Sequence, residues 1–256
     1  MAQREALSQV RISVRNLVEF VMRSGDLDDR RMAGAKKEAM QAGSRLHRKI
    51  QRRMGSDYQA EVSLKHTVKE DSFELLIEGR ADGIITEPGG VTIDEIKCIY
   101  MDPGRLEEPD PVHMAQALCY GTIYAVHHDL EEIGIQLTYC NIETEEIRRF
   151  KEVKTREEVE DWFKGLIHEY VKWARYLYHH RMRRQECLKT LQFPYAYREG
   201  QKELAACVYR SVAEGRNLYI QAPTGVGKTL STVFPSLKAM GEGYGEKLFY
   251  LTARTI

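Results

Sequence analysis

No two cysteines in this chain stand at CxxC spacing; Cys98, Cys119, Cys140, Cys187 and Cys207 are scattered. Their scatter excludes an obvious zinc or iron–sulfur framework, so no cluster is expected. It leaves them as small core residues and suits a reducing cytoplasm. No apolar run approaches the length of a membrane span. Met1 to Glu5 is mostly polar with no apolar stretch behind it, so neither an anchor nor a secretory leader is expected. Net charge is lacking as well. Lys+Arg and Asp+Glu each total 38, so bulk charge offers no argument for a polyanionic partner, and any nucleic-acid surface must come from local arrangement. Two basic runs, Arg45 to Arg53 and Arg181 to Arg184, each read equally well as a solvated helix face. Internal repeats and low-complexity segments are missing too.

What is present is ordinary globular material: 256 residues, 43% hydrophobic and 30% charged, enough for one large or two modest domains. Ser13 to Met22 reads as a short helix capped by Ser13, and a second helix is expected from about Arg30 to Met54, with Leu46 and Ile50 one turn apart. Strands are expected over Ala60 to Val68, Phe73 to Glu78 and Val91 to Ile99, with turns at Glu70-Asp71 and Pro88-Gly89-Gly90. After a proline-rich loop, Pro103 to Pro111, come a helix over His113 to His127, a strand over Ile135 to Ile142 and a long helix over Arg156 to Glu186. That order predicts an α/β fold with a mixed sheet flanked by helices. The character then changes. Asn217 to Gln221 and Leu248 to Thr252 read as short strands on either side of a helix over Gly227 to Met240, a βαβ unit opening a parallel sheet. The division is expected between 1–186 and 187–256.

Ala222-Pro-Thr224-Gly225-Val226-Gly227-Lys228-Thr229 is the most specific pattern in the chain. Glycines at 225 and 227 let successive amides converge on one point, where a triphosphate sits against the N-terminus of the following helix. Lys228 then reaches the outer phosphates, and the Thr229 hydroxyl takes a place on magnesium. Upstream, Tyr197, Arg198 and Gln201 supply an aromatic face and a side-chain amide with which adenine can be stacked and hydrogen-bonded.

The second constellation lies in the first part. Gly79-Arg-Ala-Asp82-Gly83 ends one strand and Asp94-Glu95-Ile96-Lys97 lies in the next. Strand alternation puts Glu95 and Lys97 on one face, and a neighbouring strand brings Asp82 beside them. Two carboxylates can hold divalent metal, which polarises a phosphodiester and acidifies water; Lys97 orients that water or stabilises the charge that develops on phosphorus. As a bare pattern Asp followed by Glu-x-Lys is weak, because a charged chain supplies it by accident. Asp94 is the runner-up ligand, on the opposite strand face. His47 on the preceding helix, and Gln116 and Tyr120 one turn apart on the following one, are singly unremarkable polar helix residues.

Taken together in this order, His47, Gly79-x-x-Asp82, Glu95-x-Lys97 and Gln116-x-x-x-Tyr120 resemble the RecB-like branch of PD-(D/E)XK nucleases. The resemblance implies a restriction-endonuclease-like sheet in which His47, Asp82, Glu95 and the Ile96 carbonyl ligate Mg2+ or Mn2+. It makes Lys97 the base or water-positioning group, and puts Gln116 and Tyr120 on the DNA backbone. Leu191 to Ile256 resembles the start of a DinG/XPD-type superfamily 2 helicase motor, a RecA-like segment. Its loop begins with alanine, Gln201 belongs to an adenine motif, and Thr252-Ala-Arg254-Thr255 contacts single-stranded DNA. The resemblance implies ATP and DNA as partners. The acidic pair that such motors use to hold magnesium lies beyond residue 256, so the expectation is a piece of a longer protein that binds ATP weakly and unwinds nothing unaided. DNA-stimulated ATPase activity from these 256 residues, measured by phosphate release, would contradict that.

Overall fold

In the computed structural model, which describes residues 9–25, 35–223 and 225–252, the chain divides into two compact units, Val10–Ala174 and, mainly, Arg175–Ile256. The first holds the sheet. Its elements are β1 (Gln9–Ser13), α1 (Val14–Val21), α2 (Ala35–Arg53), β2 (Tyr58–Lys69), β3 (Glu74–Glu87) and β4 (Gly90–Ile99). A 3-10 turn follows at Pro103–Arg105, then α3 (Pro111–His128), β5 (Glu132–Asn141), β6 (Ile147–Thr155) and α4 (Arg156–Thr190), within which the division falls. The strand order is β1-β3-β4-β5-β6, with β2 also paired to β3. The β2–β3, β3–β4 and β5–β6 ladders are antiparallel, whereas β4–β5 is parallel, so the sheet is mixed as expected.

The parallel pair follows from its connection. A hairpin cannot join parallel strands, and here α3 supplies the crossover. Asp110 caps α3 by accepting from the Val112 amide (2.8 Å) with Pro111 as the first helical residue, where a missing N–H is harmless. The helix lies so close to the sheet that a Cβ on Gly121 would stand 2.5 Å from Ile135 Cδ1. β5 is covered on both faces and reads as a buried run from Ile133 to Asn141. Ser13 caps α1 as expected, accepting from the Asn16 amide at 3.1 Å.

Three elements went unread in the sequence: β1, β6 and the helix over Gln201–Glu214. β6, Ile-Arg-Arg-Phe-Lys-Glu-Val-Lys-Thr, alternates in exposure, but its charges mask the pattern, as is usual in an edge strand that resists further pairing. β3 also differs from expectation. The segment from Gly79 to Gly83 does not end the strand; it lies within it. Both glycines make room for tyrosines: a Cβ on Gly79 would meet Tyr120 Oη at 2.6 Å, and one on Gly83 would lie inside the ring of Tyr58. The helix expected from Arg30 is described from Ala35, residues 30–34 lying outside the described set.

The second unit carries α5 (Gln201–Glu214) and α6 (Lys228–Gly241), which pack together. The strands expected at Asn217 to Gln221 and Leu248 to Thr252 are not formed; both segments are without ladder bonds. A parallel strand is stable only when neighbours pair it and cover both faces. Here Leu218, Tyr219 and Ile220, and Leu248 to Leu251, stay exposed.

Gly83→Ala is expected to lower unfolding free energy by about 2 kcal/mol in urea titrations. In the Tyr58→Ala background the same substitution should cost distinctly less, a non-additivity that reports the clash.

Candidate active site

The β3–β4 ladder runs from Glu87↔Gly90 to Gly83↔Asp94 and stops there, one step short of Asp82 and Glu95. The Asp82 carboxylate replaces the next ladder bond, its Oδ2 accepting from the Ile96 amide at 2.8 Å. Two acidic side chains thus sit at the point where adjacent strands part. Alternation along β4 does the rest. Glu95 and Lys97 share a face and meet, Nζ to Oε1, at 2.9 Å. Asp94 turns to the other face, fully buried, where it accepts from Thr138 Oγ1 (2.6 Å), Gln136 Nε2 (3.0 Å) and Tyr58 Oη (3.4 Å). Its neighbours and its burial remove it from the group around Glu95.

α2 lays Leu46 and Ile50 into a cluster with Ile96, Cys98, Cys140 and Ile142. Packing of that stripe brings the next residues round, His47 and Gln51, to the strand edge. His47 Nε2 stands 3.1 Å from Asp82 Oδ2 and its Nδ1 3.7 Å from Glu61 Oε1. Gln51 Nε2 donates to the Asp82 carbonyl (2.9 Å) and to Glu61 Oε1 (3.0 Å). From α3, Gln116 is buried and its Oε1 accepts from Lys97 Nζ at 2.5 Å. Tyr120 is buried with its hydroxyl against Gly79. His47, Gln51, Glu61, Asp82, Glu95, Lys97, Gln116 and Tyr120, with Ile96, His113 and the cations Arg15, Arg48 and Arg80, line one open cleft of about 1070 Å³.

His47, Asp82, Glu95, Lys97, Gln116 and Tyr120 therefore meet in one place, Asp94 stays behind the sheet, and Glu61 joins them unannounced. Its place in β2 among outward polar residues carried no signal, because only the three-dimensional register sets it across from Asp82. Gln116 holds the Lys97 ammonium, and Tyr120 fills the space beside Gly79; both are packed parts of the cleft wall.

The electrostatics are those of crowded acids. Burial, then the charge of Asp82, push Glu95 up to about 7, against the pull of Lys97. The hydrogen bond to Asp82 raises His47. Glu95 Oε2 is buried with no hydrogen-bond partner, which is costly for a carboxylate oxygen unless a cation meets it. His47, Glu61 and Asp82 each place a ligand atom within 4.8 Å of the others. An imidazole with carboxylates is a donor set suited to Mn2+ or Mg2+, and Glu95, outside that group, brings its unpartnered oxygen to the same cleft.

In the second unit, Thr224 lies outside the described residues, as do Arg254 and Thr255. Gly225 (φ 87°) and Gly227 (φ 78°) adopt left-handed backbone at the turn into α6. Gln201 is buried, accepting from the Arg198 amide (2.9 Å) and donating to the Val226 carbonyl (3.0 Å); Arg198 donates to the Gly225 carbonyl. Lys228 Nζ turns back onto the carbonyls of Ala222 (2.9 Å) and Pro223 (2.7 Å), and Thr229 Oγ1 meets Tyr250 Oη at 3.1 Å. Arg198, Gln201, Gly225 and Val226 border a pocket of about 690 Å³. Tyr197 lies elsewhere, stacked on Phe193 with centroids 4.1 Å apart.

Comparison with known proteins adds the following. No family model matches the chain. Over 47 residues, 18% of the chain, it is 47% identical to a probable ATP-dependent helicase of Methanocaldococcus jannaschii, and the match spans 7% of that protein. Among solved structures it is similar to SSO0001, with a TM-score of 0.40 and 20% identity over 64% of this chain and 81% of that one. It is also similar to an alkaline exonuclease from Laribacter hongkongensis, with a TM-score of 0.35 and 14% identity over 69% and 96% of the two chains. Among the described residues no helix is long and apolar enough to cross a membrane.

A carboxyl raised from 4.5 to about 7 contributes stability at low pH and loses it as pH rises through 7, so ionised Glu95 burdens the metal-free fold. In EDTA, Glu95→Gln should raise the melting temperature by roughly 3–6 °C at about pH 8 and leave it unchanged near pH 5, as read by calorimetry.

Proposed function

We propose that this chain is a metal-dependent deoxyribonuclease, its first part (1–186) hydrolysing phosphodiesters, and that in the whole protein it is coupled to an ATP-dependent DNA helicase motor begun by 187–256. DNA repair or recombination is the setting such a pairing suits. The observation that carries the nuclease reading is the convergence of His47, Asp82, Glu95 and Lys97 in one cleft, with Glu95 Oε2 buried and unpartnered. His47, Asp82 and Glu95 would hold a Mg2+ or Mn2+ ion, which would supply Lewis acidity toward a phosphate oxygen and toward water. Lys97 has three N–H donors, and Glu95 and Gln116 engage two of them. The third is available to a phosphate oxygen or to the attacking water, where a fixed positive charge stabilises the charge that develops. Arg15, Arg48 and Arg80 at the rim give an overall neutral chain a local surface for the DNA backbone.

The helicase part rests on the glycine loop before α6, on its contacts with Gln201 and Arg198, and on the short match to a protein named as a probable ATP-dependent helicase. ATP binding would draw Lys228 from the carbonyls of Ala222 and Pro223 to the phosphates.

With Mn2+ or Mg2+ the chain should degrade DNA on gels, and Lys97→Ala should lower the rate by about 100-fold or more with unchanged circular dichroism. Equal rates would remove Lys97 from the mechanism; DNA binding without cleavage or metal uptake would make this unit a loading module for the motor. Lys228→Ala should abolish the weak binding of a fluorescent ATP analogue by the 256-residue chain, while leaving cleavage intact.

A further inference from the structure

Glu61 stands out on the backbone before it does on chemistry. Among the described residues, Glu61, Asp129 and Glu145 are the non-glycines with positive φ, and Glu61 (φ 58°) holds that conformation inside a strand. Left-handed backbone costs a residue with a Cβ about 1–2 kcal/mol, so neighbouring contacts must hold it. The distortion falls between the pairs Ala60↔Gly83 and Val62↔Ala81, directly opposite Asp82 of β3.

Both carboxylate oxygens of Glu61 are anchored. Oε1 accepts from Gln51 Nε2, which also holds the Asp82 carbonyl, and Oε2 takes Arg80 Nε at 2.5 Å. Oε1 also faces Nδ1 of His47, while Nε2 of that ring faces Asp82. An imidazole that gives one nitrogen to a cation carries its proton on the other. With the cation on the Asp82 side, the proton lies at Nδ1, toward Glu61. A shift of about 1 Å turns the 3.7 Å approach into a hydrogen bond. Each Glu61 oxygen already accepts one donor, from Gln51 or Arg80, so a direct bond to the ion would share an oxygen with a hydrogen bond.

We propose that Glu61 is a positioning residue: its carboxylate accepts the Nδ1 proton of His47 and so fixes the ring with Nε2 turned to the cation site it shares with Asp82 and Glu95. The inference rests on the cation-binding reading above. It assigns Gln51 and Arg80 to a second tier that holds Glu61, just as Glu61 holds His47.

Titration calorimetry with Mn2+ tests it, together with nitrogen-15 spectra of the imidazole in protein loaded with Zn2+ as a diamagnetic probe. Glu61→Ala should weaken Mn2+ binding by about 10–100-fold. Glu61→Gln, whose amide oxygen still accepts from Nδ1, should stay within about threefold of wild type. A downfield Nδ1–H proton of His47 should be present in wild type and Glu61→Gln and lost in Glu61→Ala, with circular dichroism unchanged. Equal losses in the two variants would make Glu61 a direct ligand and overturn the proposal. So would wild-type affinity and an unaltered His47 signal in Glu61→Ala. A wild-type chain that takes up neither ion would overturn the cation reading itself, and this inference with it.

Discussion

The site depends on a single exchange of partners at the end of the β3–β4 ladder. Pairing runs as far as Gly83↔Asp94, and the next acceptor for the Ile96 amide is the Asp82 side chain, not a β3 carbonyl. A buried amide must be satisfied by something. Because a carboxylate does it, the strands can part without leaving an orphan donor, and the acid is held at the fork. On the β2 side, where Asp82 and Glu61 do not pair, the Asp82 carbonyl is taken by Gln51 from α2. The exchange of bonding partner opens the cleft and fixes an acid in it, and Gln51 ties that same residue to the helix that carries His47.

The two faces of β4 divide the electrostatic load. On the closed face, Asp94 meets Thr138, Gln136 and Tyr58, a buried acid surrounded by donors. On the open face, Glu95 has Lys97 on one oxygen and nothing on the other. Two carboxylates one position apart thus serve as a satisfied strut and as an unsatisfied one. Unmet valence is what a ligand site offers, and a rigid strut beneath it keeps the offer in place. Gly79 and Gly83 belong to this arrangement, since they admit the tyrosines that close the cleft wall and brace the strut.

In the second unit, Lys228, Gln201 and Arg198 bond to carbonyls of the loop they border. These are weak neutral-acceptor bonds next to what a polyphosphate would offer the same side chains.

Much of this was legible in the chain alone. Periodicity located α1, α3, α4 and most of the strands, and alternation put Glu95 and Lys97 together with Asp94 behind, because strand geometry makes neighbours point oppositely. The glycine loop stood out by its spacing, and the structure gives Gly225 and Gly227 left-handed backbone at the turn into α6. The structure alone decided what depends on long-range register. Glu61 lies across from Asp82 only through the β2–β3 ladder, Gln116 reaches Lys97 only through the α3 crossover, and the strands expected around the loop do not form because ladders need neighbours. Local pattern is a property of a few consecutive residues, whereas a partner across a sheet is set by the sum of turns and crossovers between. The amino-acid sequence accordingly determined which chemistry is present, and tertiary structure decided which groups share it.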